Sequence, residues 1–159
     1  QSARLLFPKL TVPQETCPIV NAHYLLDFPI SLPGCKPIIG IIGGTAHWLF
    51  VRDDMIAVTV SAADHLVNKS TAEIAQILWT DVARVIGRRN SALPAYKIIK
   101  EKRATFAQTP VEIIQRPFSS AMGLTNFTLA GDWTATGLPA TIESSILSGQ
   151  TAVEALAVG

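Results

Sequence analysis

Charge is scarce in this chain. Only 16% of its 159 residues are charged, and 13 basic against 12 acidic side chains leave a formal net charge of +1. A general grip on phosphates needs a basic surface, so no nucleic-acid partner is expected. Cysteine is scarcer still. Cys17 and Cys35, each beside a proline or glycine, cannot make a disulfide framework and read as reduced thiols of a cytoplasmic protein. With two Cys and three His, no metal site is expected. The opening, QSARLLFPKL, lacks the long apolar core and small-residue cleavage site of a secretory leader. Uncharged stretches such as Pro37 to Val51 fall short of the ~18–20 residues a spanning helix needs, and this one is interrupted by Gly40, Gly43 and Gly44. No Ser-His-Asp or Cys-His set carries a recognisable local signature, so catalytic residues stay unassigned.

Apolar side chains are abundant. They make up 48% of the chain, and mean hydropathy is +0.33, which excludes a disordered polypeptide. Such a composition points to apolar surface that meets a ligand, another domain, a second copy or the periphery of a membrane. The length fits one ordinary domain. The first residue is Gln, and the opening reads as the interior of something longer.

The patterning predicts an α+β fold, mostly antiparallel. Pro18 to Asp27 alternates, with Val20, Ala22, Tyr24 and Leu26 on one face. Ile38 to Ile42, Ala46 to Arg52 and Met55 to Ala62 read as further strands, the last two joined at Asp53-Asp54. Ser70 followed by Glu73 is a capping-box signal for a helix that Gly87 ends, and this helix should cover one side of the sheet. Ala95 to Lys100 is a strand, 105–125 mostly loop, and Asn126 to Ala130 a short strand. A helix is expected from Pro139 to about Leu156, with Ile142, Ile146, Val153 and Leu156 as its apolar stripe. Its many small residues call for close packing.

Chemistry concentrates in LAGDWTATGLPATIESSILSGQ, from Leu129 to Gln150. Gly131 lets another backbone or a ligand approach. Asp132 stands where a strand gives way to a turn, and its carboxylate can accept hydrogen bonds from sugar hydroxyls. The following helix start favours negative charge. Turn and cap roles would explain the same residues without any ligand. His47 and Trp48 are candidate lining residues of an apolar site, although a half-buried strand His needs no function. His23 with Asp27, and Lys102 with Arg103, read as solvated polar groups.

The 129–149 block closely resembles the C-terminal flavin-binding motif of the phytoene desaturase and flavin amine oxidase superfamily. CPIVNAHYLLD, HWLF, VTVSAAD and EKRATFAQTP narrow the resemblance, which runs from about residue 17 to the end. They are similar to the squalene-associated, FAD-dependent desaturase branch, whose members are hydroxysqualene dehydroxylases of bacterial hopanoid synthesis. The resemblance implies that Asp132 bonds the ribityl chain of FAD, that Gly131 allows the approach, and that Ala140 and Thr141 offer N–H groups to the flavin ring. It implies an isoprenoid substrate in a tunnel lined by His47 and Trp48. Residues 1–125 would then be substrate-domain portion with a return segment, and 126–159 the last strand and helix of a Rossmann-like FAD domain. The family's opening G-x-G-x-x-G is absent, because GIIGG has the wrong spacing. The implied partner is therefore an N-terminal Rossmann half, and the chain alone is expected to be inactive and to self-associate. Glu143-Ser144-Ser145 replaces the family's usual Glu-Gly-Ala, and Leu147 replaces a basic residue. Phytoene-type desaturation, or a cofactor-free module for apolar ligands, remains the alternative.

Overall fold

A computed structural model describes residues 2–157. The chain divides into two compact units, Cys17–Ala104 and a second made of the residues up to 16 with those from 105 onward. This compact division falls at 104/105, whereas the functional boundary implied by the resemblance falls at 125/126.

The first unit is a sheet under a helix. Strands β1 (Thr16–Leu25), β2 (Ile38–Gly40), β3 (Trp48–Arg52), β4 (Met55–Ser61) and β5 (Ala95–Phe106) lie in the order β2-β3-β4-β1-β5. The β1/β4, β2/β3 and β3/β4 pairs are antiparallel. Alternation sends Val20, Ala22 and Tyr24 of β1, Leu49 of β3, and Ile56, Val58 and Val60 of β4 into the core, as the period of two requires. Between β4 and β5 run α2 (Asp64–Val67) and α3 (Thr71–Val85). Helix α3 adds Ile74, Leu78 and Val82 to the same core cluster. Tyr24 shows how sheet and helix are joined. Its hydroxyl donates to the Ala75 carbonyl at 2.8 Å, its ring lies 5.2 Å from that of Trp79, and burial pushes its pKa well up.

The predicted capping box is present. Ser70 Oγ accepts the Glu73 N–H, and Glu73 accepts the Ser70 N–H. Hydrogen bonds from Ser70 hold the Glu73 carboxyl below its usual pKa. The β5 strand continues six residues past the expected Lys100. The run Glu101, Lys102, Arg103 is exposed on this outermost strand, where charge is tolerated and discourages edge pairing.

A buried carboxylate fixes the loop before β3. Asp81 Oδ2 on α3 accepts the N–H groups of Thr45 at 2.7 Å and Ala46 at 3.0 Å, and Oδ1 accepts from Arg84 at 3.0 Å. Gly44 is required beside it, because a Cβ there would sit 2.8 Å from Asp81 Oδ2.

The second unit contains α1 (Ser2–Leu6), α4 (Pro110–Ile114) and α5 (Ile142–Ala157). Leu10, Val12 and Leu129 form its small apolar core, with Phe7, Phe127 and Trp133 packed against it. Three expectations are corrected here. No strand forms over 126–130 among the described residues: no ladder partner lies beside it, and Leu129 instead exchanges hydrogen bonds with Ser119. Helix α5 starts at Ile142, not at Pro139. Thr141 caps it, its hydroxyl accepting the Ser144 N–H and its carbonyl the Ser145 N–H. The expected apolar stripe of α5 faces outward, with Ile142 82% and Val153 67% exposed, while Ser144, Ser148 and Ala152 are buried. The close packing expected of its small residues is what those three provide. No helix among the described residues is long and apolar enough to cross a membrane.

Replacing Asp81 by Ala strands two backbone donors, one of them buried. We expect a loss of about 2–4 kcal/mol in unfolding free energy, measured by urea denaturation; a change of less than about 0.5 kcal/mol, the size of an ordinary surface substitution, would contradict this account of the loop.

Candidate functional site

The loop between Leu129 and α5 is held by hydroxyls and one guanidinium. The Gly131 N–H donates to Ser148 Oγ at 2.7 Å, and that hydroxyl donates onward to the Ser145 carbonyl. Buried Thr134 closes a turn on Gly131, donating through both its hydroxyl and its N–H to the Gly131 carbonyl. Thr136 Oγ1 and Ser144 Oγ are 2.6 Å apart. Ser144, one of the departures from the family pattern, is therefore a working part of the seam between loop and helix. The backbone at Gly131 has φ +132°, and an added Cβ would lie 2.5 Å from Trp133 Nε1. The neighbour that takes advantage of the missing side chain is thus the Trp133 indole, which packs against the small core.

At the centre lies Arg116, just after α4 and 8% exposed. Nη1 donates to the Leu138 carbonyl at 2.7 Å. Nη2 donates to the Asp132 carbonyl at 2.9 Å, to Thr136 Oγ1 at 3.0 Å and to Ser144 Oγ at 3.3 Å. The guanidinium lies 5.2 Å from the Phe106 ring centre, and its buried Nε has no partner among the described residues. Burial lowers its pKa, and Asp132 opposes that shift through space. Nothing in local spacing singles out Arg116 beforehand. The available signal is a lone arginine in QRPF, directly before the uncharged run from Pro117 to Gly131.

The structure thus brings Gly131 and Asp132 into one hydrogen-bonded unit with the residues that lead into α5. Asp132 is half-buried. Its carbonyl serves Arg116, and no hydrogen bond engages its carboxylate among the described residues. Ala140 is half-buried, and Thr141 is exposed and acts as the cap. The N–H groups of Ile142 and Glu143 also have no partner among the described residues. A carboxylate ready to accept and a helix start ready to donate, joined in one network through Arg116, suit a ligand with both hydroxyls and an electron-rich edge.

His47 and Trp48 belong to the sheet unit. His47 Nδ1 accepts the Ser61 N–H at 3.2 Å, which leaves Nε2–H as its donor. Trp48 is 50% exposed, and a Cβ at Gly40 would meet its ring at 3.3 Å. By register, Trp48 aligns with Thr59 and Asn21, and Phe50 with Ala57 and His23, across the sheet face opposite the core. This face carries exposed Trp48, Phe50, Met55 and Leu25. Both cysteines are free.

The chain belongs to the flavin containing amine oxidoreductase family, whose model matches residues 20–157. It is 42% identical to the hydroxysqualene dehydroxylase of Sinorhizobium fredii over 97% of its own length and 36% of that protein's. It is also 42% identical to the hydroxysqualene dehydroxylase of Rhodopseudomonas palustris, covering 96% of this chain and 35% of that one. The chain therefore spans about a third of the length of the curated relatives it matches. In fold it is similar to the crystal structure of a putative protoporphyrinogen oxidase from Exiguobacterium sp. 255-15. The TM-score is 0.67 at 16% identity, over 99% of this chain and 39% of that one.

Full-length members of this family carry FAD. The residues present fit one end of it. Among the described residues no hydrogen bond engages the Asp132 carboxylate or the N–H groups of Ile142 and Glu143, and Asp132 acts on the buried Arg116 guanidinium through space. Among the described residues no group of His, Cys, Asp and Glu could hold a metal ion.

Gly131→Ala forces a side chain into the left-handed region and against the indole. We expect a stability loss of about 1–3 kcal/mol with an altered near-ultraviolet circular dichroism band of Trp133. Unchanged stability and spectrum would contradict the close approach.

Proposed function

We propose that this chain is the C-terminal part of an FAD-dependent oxidoreductase that acts on a linear isoprenoid, removing the hydroxyl of hydroxysqualene to give squalene. The observation that carries the reading is 42% identity to hydroxysqualene dehydroxylases along nearly the whole chain. The chemistry expected of bound FAD is hydride transfer to the carbon that loses its hydroxyl. The chain's own residues orient and shield. The Asp132 carboxylate accepts hydrogen bonds from the ribityl hydroxyls, and Gly131 supplies the φ +132° backbone and the room for Trp133 that set where Asp132 stands. N–H groups at and after Ala140 and Thr141 face the pyrimidine edge, where the positive end of α5 favours negative charge. The apolar sheet face with Trp48 and Phe50 lines the isoprenoid site and excludes water, and His47, through its Nε2–H, stands at its edge.

The functional boundary is proposed at 125/126, with the substrate portion before it and the FAD portion after. The partner is an N-terminal Rossmann half, and two observations support it: relatives about three times as long, and the exposed apolar face of α5. Without that half, the same face drives self-association. The proposed location is cytoplasmic, with peripheral contact to the membrane that holds such substrates.

Titration with FAD tests the reading. The isolated chain should bind FAD weakly and turn over no hydroxysqualene with FAD and a reductant. Joined to its dinucleotide-binding half it should bind FAD tightly and turn hydroxysqualene over, and Asp132→Ala should raise the FAD dissociation constant at least about tenfold. Turnover by the isolated chain, or unchanged FAD binding in Asp132→Ala, would contradict it.

A further inference from the structure

We propose that Arg116 is a positioning residue for the flavin: its fork sets the 131–141 loop, and its fixed charge adds to the positive field at the start of α5. The inference rests on the flavin reading above and assigns a role to a residue that the motif does not contain.

Two features carry it. The first is the fork. Arg116 ties the carbonyls of Asp132 and Leu138 to the hydroxyls of Thr136 and Ser144. Those four groups span the loop that presents Asp132 and the cap that presents Thr141, so one planar side chain ties the two presenting ends together, alongside the Gly131–Ser148 and Thr136–Ser144 hydrogen bonds. An ammonium is a point charge and cannot reproduce that planar fork. The second is the charge. Every hydrogen-bond acceptor around the guanidinium is neutral, Asp132 acts on it only through space and forms no ion pair with it among the described residues, and its Nε is buried without a partner. Burying a charge in this way is costly, and a neutral donor could have tied the same loop. The charge also lies against Ser144 in the first turn of α5, at the helix's own positive end. Asp132 offsets part of this positive charge through space, and an electron-rich group that meets both the guanidinium and the helix start would offset more of it. The pyrimidine edge of reduced flavin is such a group.

The test uses the FAD-loaded protein, formed by this chain with the segment that completes its cofactor site. Arg116→Lys, Arg116→Met and Thr136→Val are compared with wild type. Two quantities are read, the FAD dissociation constant and the flavin midpoint potential. Arg116→Met should weaken FAD binding about tenfold or more and shift the potential negative. Arg116→Lys should weaken binding yet keep the potential near wild type, because the charge survives and the fork does not. Thr136→Val, which leaves the guanidinium intact, should weaken binding severalfold at unchanged potential, and it carries the test of the fork if Arg116→Met does not fold. Equal potentials in the Lys and Met variants would overturn the role of the charge. Wild-type affinity in all three variants would overturn the role of the fork. A wild-type protein that takes up no FAD would overturn the flavin reading itself, and the role of Arg116 with it.

Discussion

One polar seam organises the end of this chain. Helix α5 turns serines, not isoleucines, toward the 131–141 loop, and its hydroxyls together with the Arg116 guanidinium carry the contact. Apolar packing would be a poor choice at this place. The loop offers carbonyls and N–H groups, and buried backbone groups must be paired. Small hydroxylated residues allow the backbone to come close and also satisfy it. Thr141 then caps the helix, so the position of α5's positive end is set by the same network that sets Asp132. Geometry and field at this end of the chain's network share one origin.

The sheet unit solves a different problem. Its core is apolar and conventional, with β1, β3 and β4 covered by α3 and Tyr24 joining the layers. Its polar expense is concentrated at Asp81, which holds the turn that leads into β3 and thereby sets where Trp48 emerges. The opposite face is left with large apolar side chains and the polar pair Thr59 and Asn21, 2.7 Å apart.

Much of this was legible in the residues. The alternation Val20, Ala22, Tyr24 marks a strand with one buried face, and Ser70 with Glu73 marks a helix start, because both signals are local and complete within a few residues. The Gly-Asp motif marks, for the same reason, the loop that Arg116 and Ser148 hold. Other features depend on distant neighbours. A strand over 126–130 needs a ladder partner that local pattern cannot supply. The stripe Ile142, Ile146, Val153 and Leu156 looks like a buried face only if the surface opposite is apolar, and that surface is a polar loop. Asp81 reaches Thr45 across 36 positions, and Arg116 reaches Ser144 across 28, so neither partnership is visible in spacing.

On the proposed reading, residues 131–143 hold the flavin. Amide chemical shifts of the isotopically labelled chain, assembled with the segment that completes its cofactor site, test it most directly. Adding FAD should move the resonances of Gly131, Asp132 and 140–143 most, while amides of β3 and β4 in the sheet unit move little. Saturable FAD binding that leaves 131–143 unmoved would contradict the account.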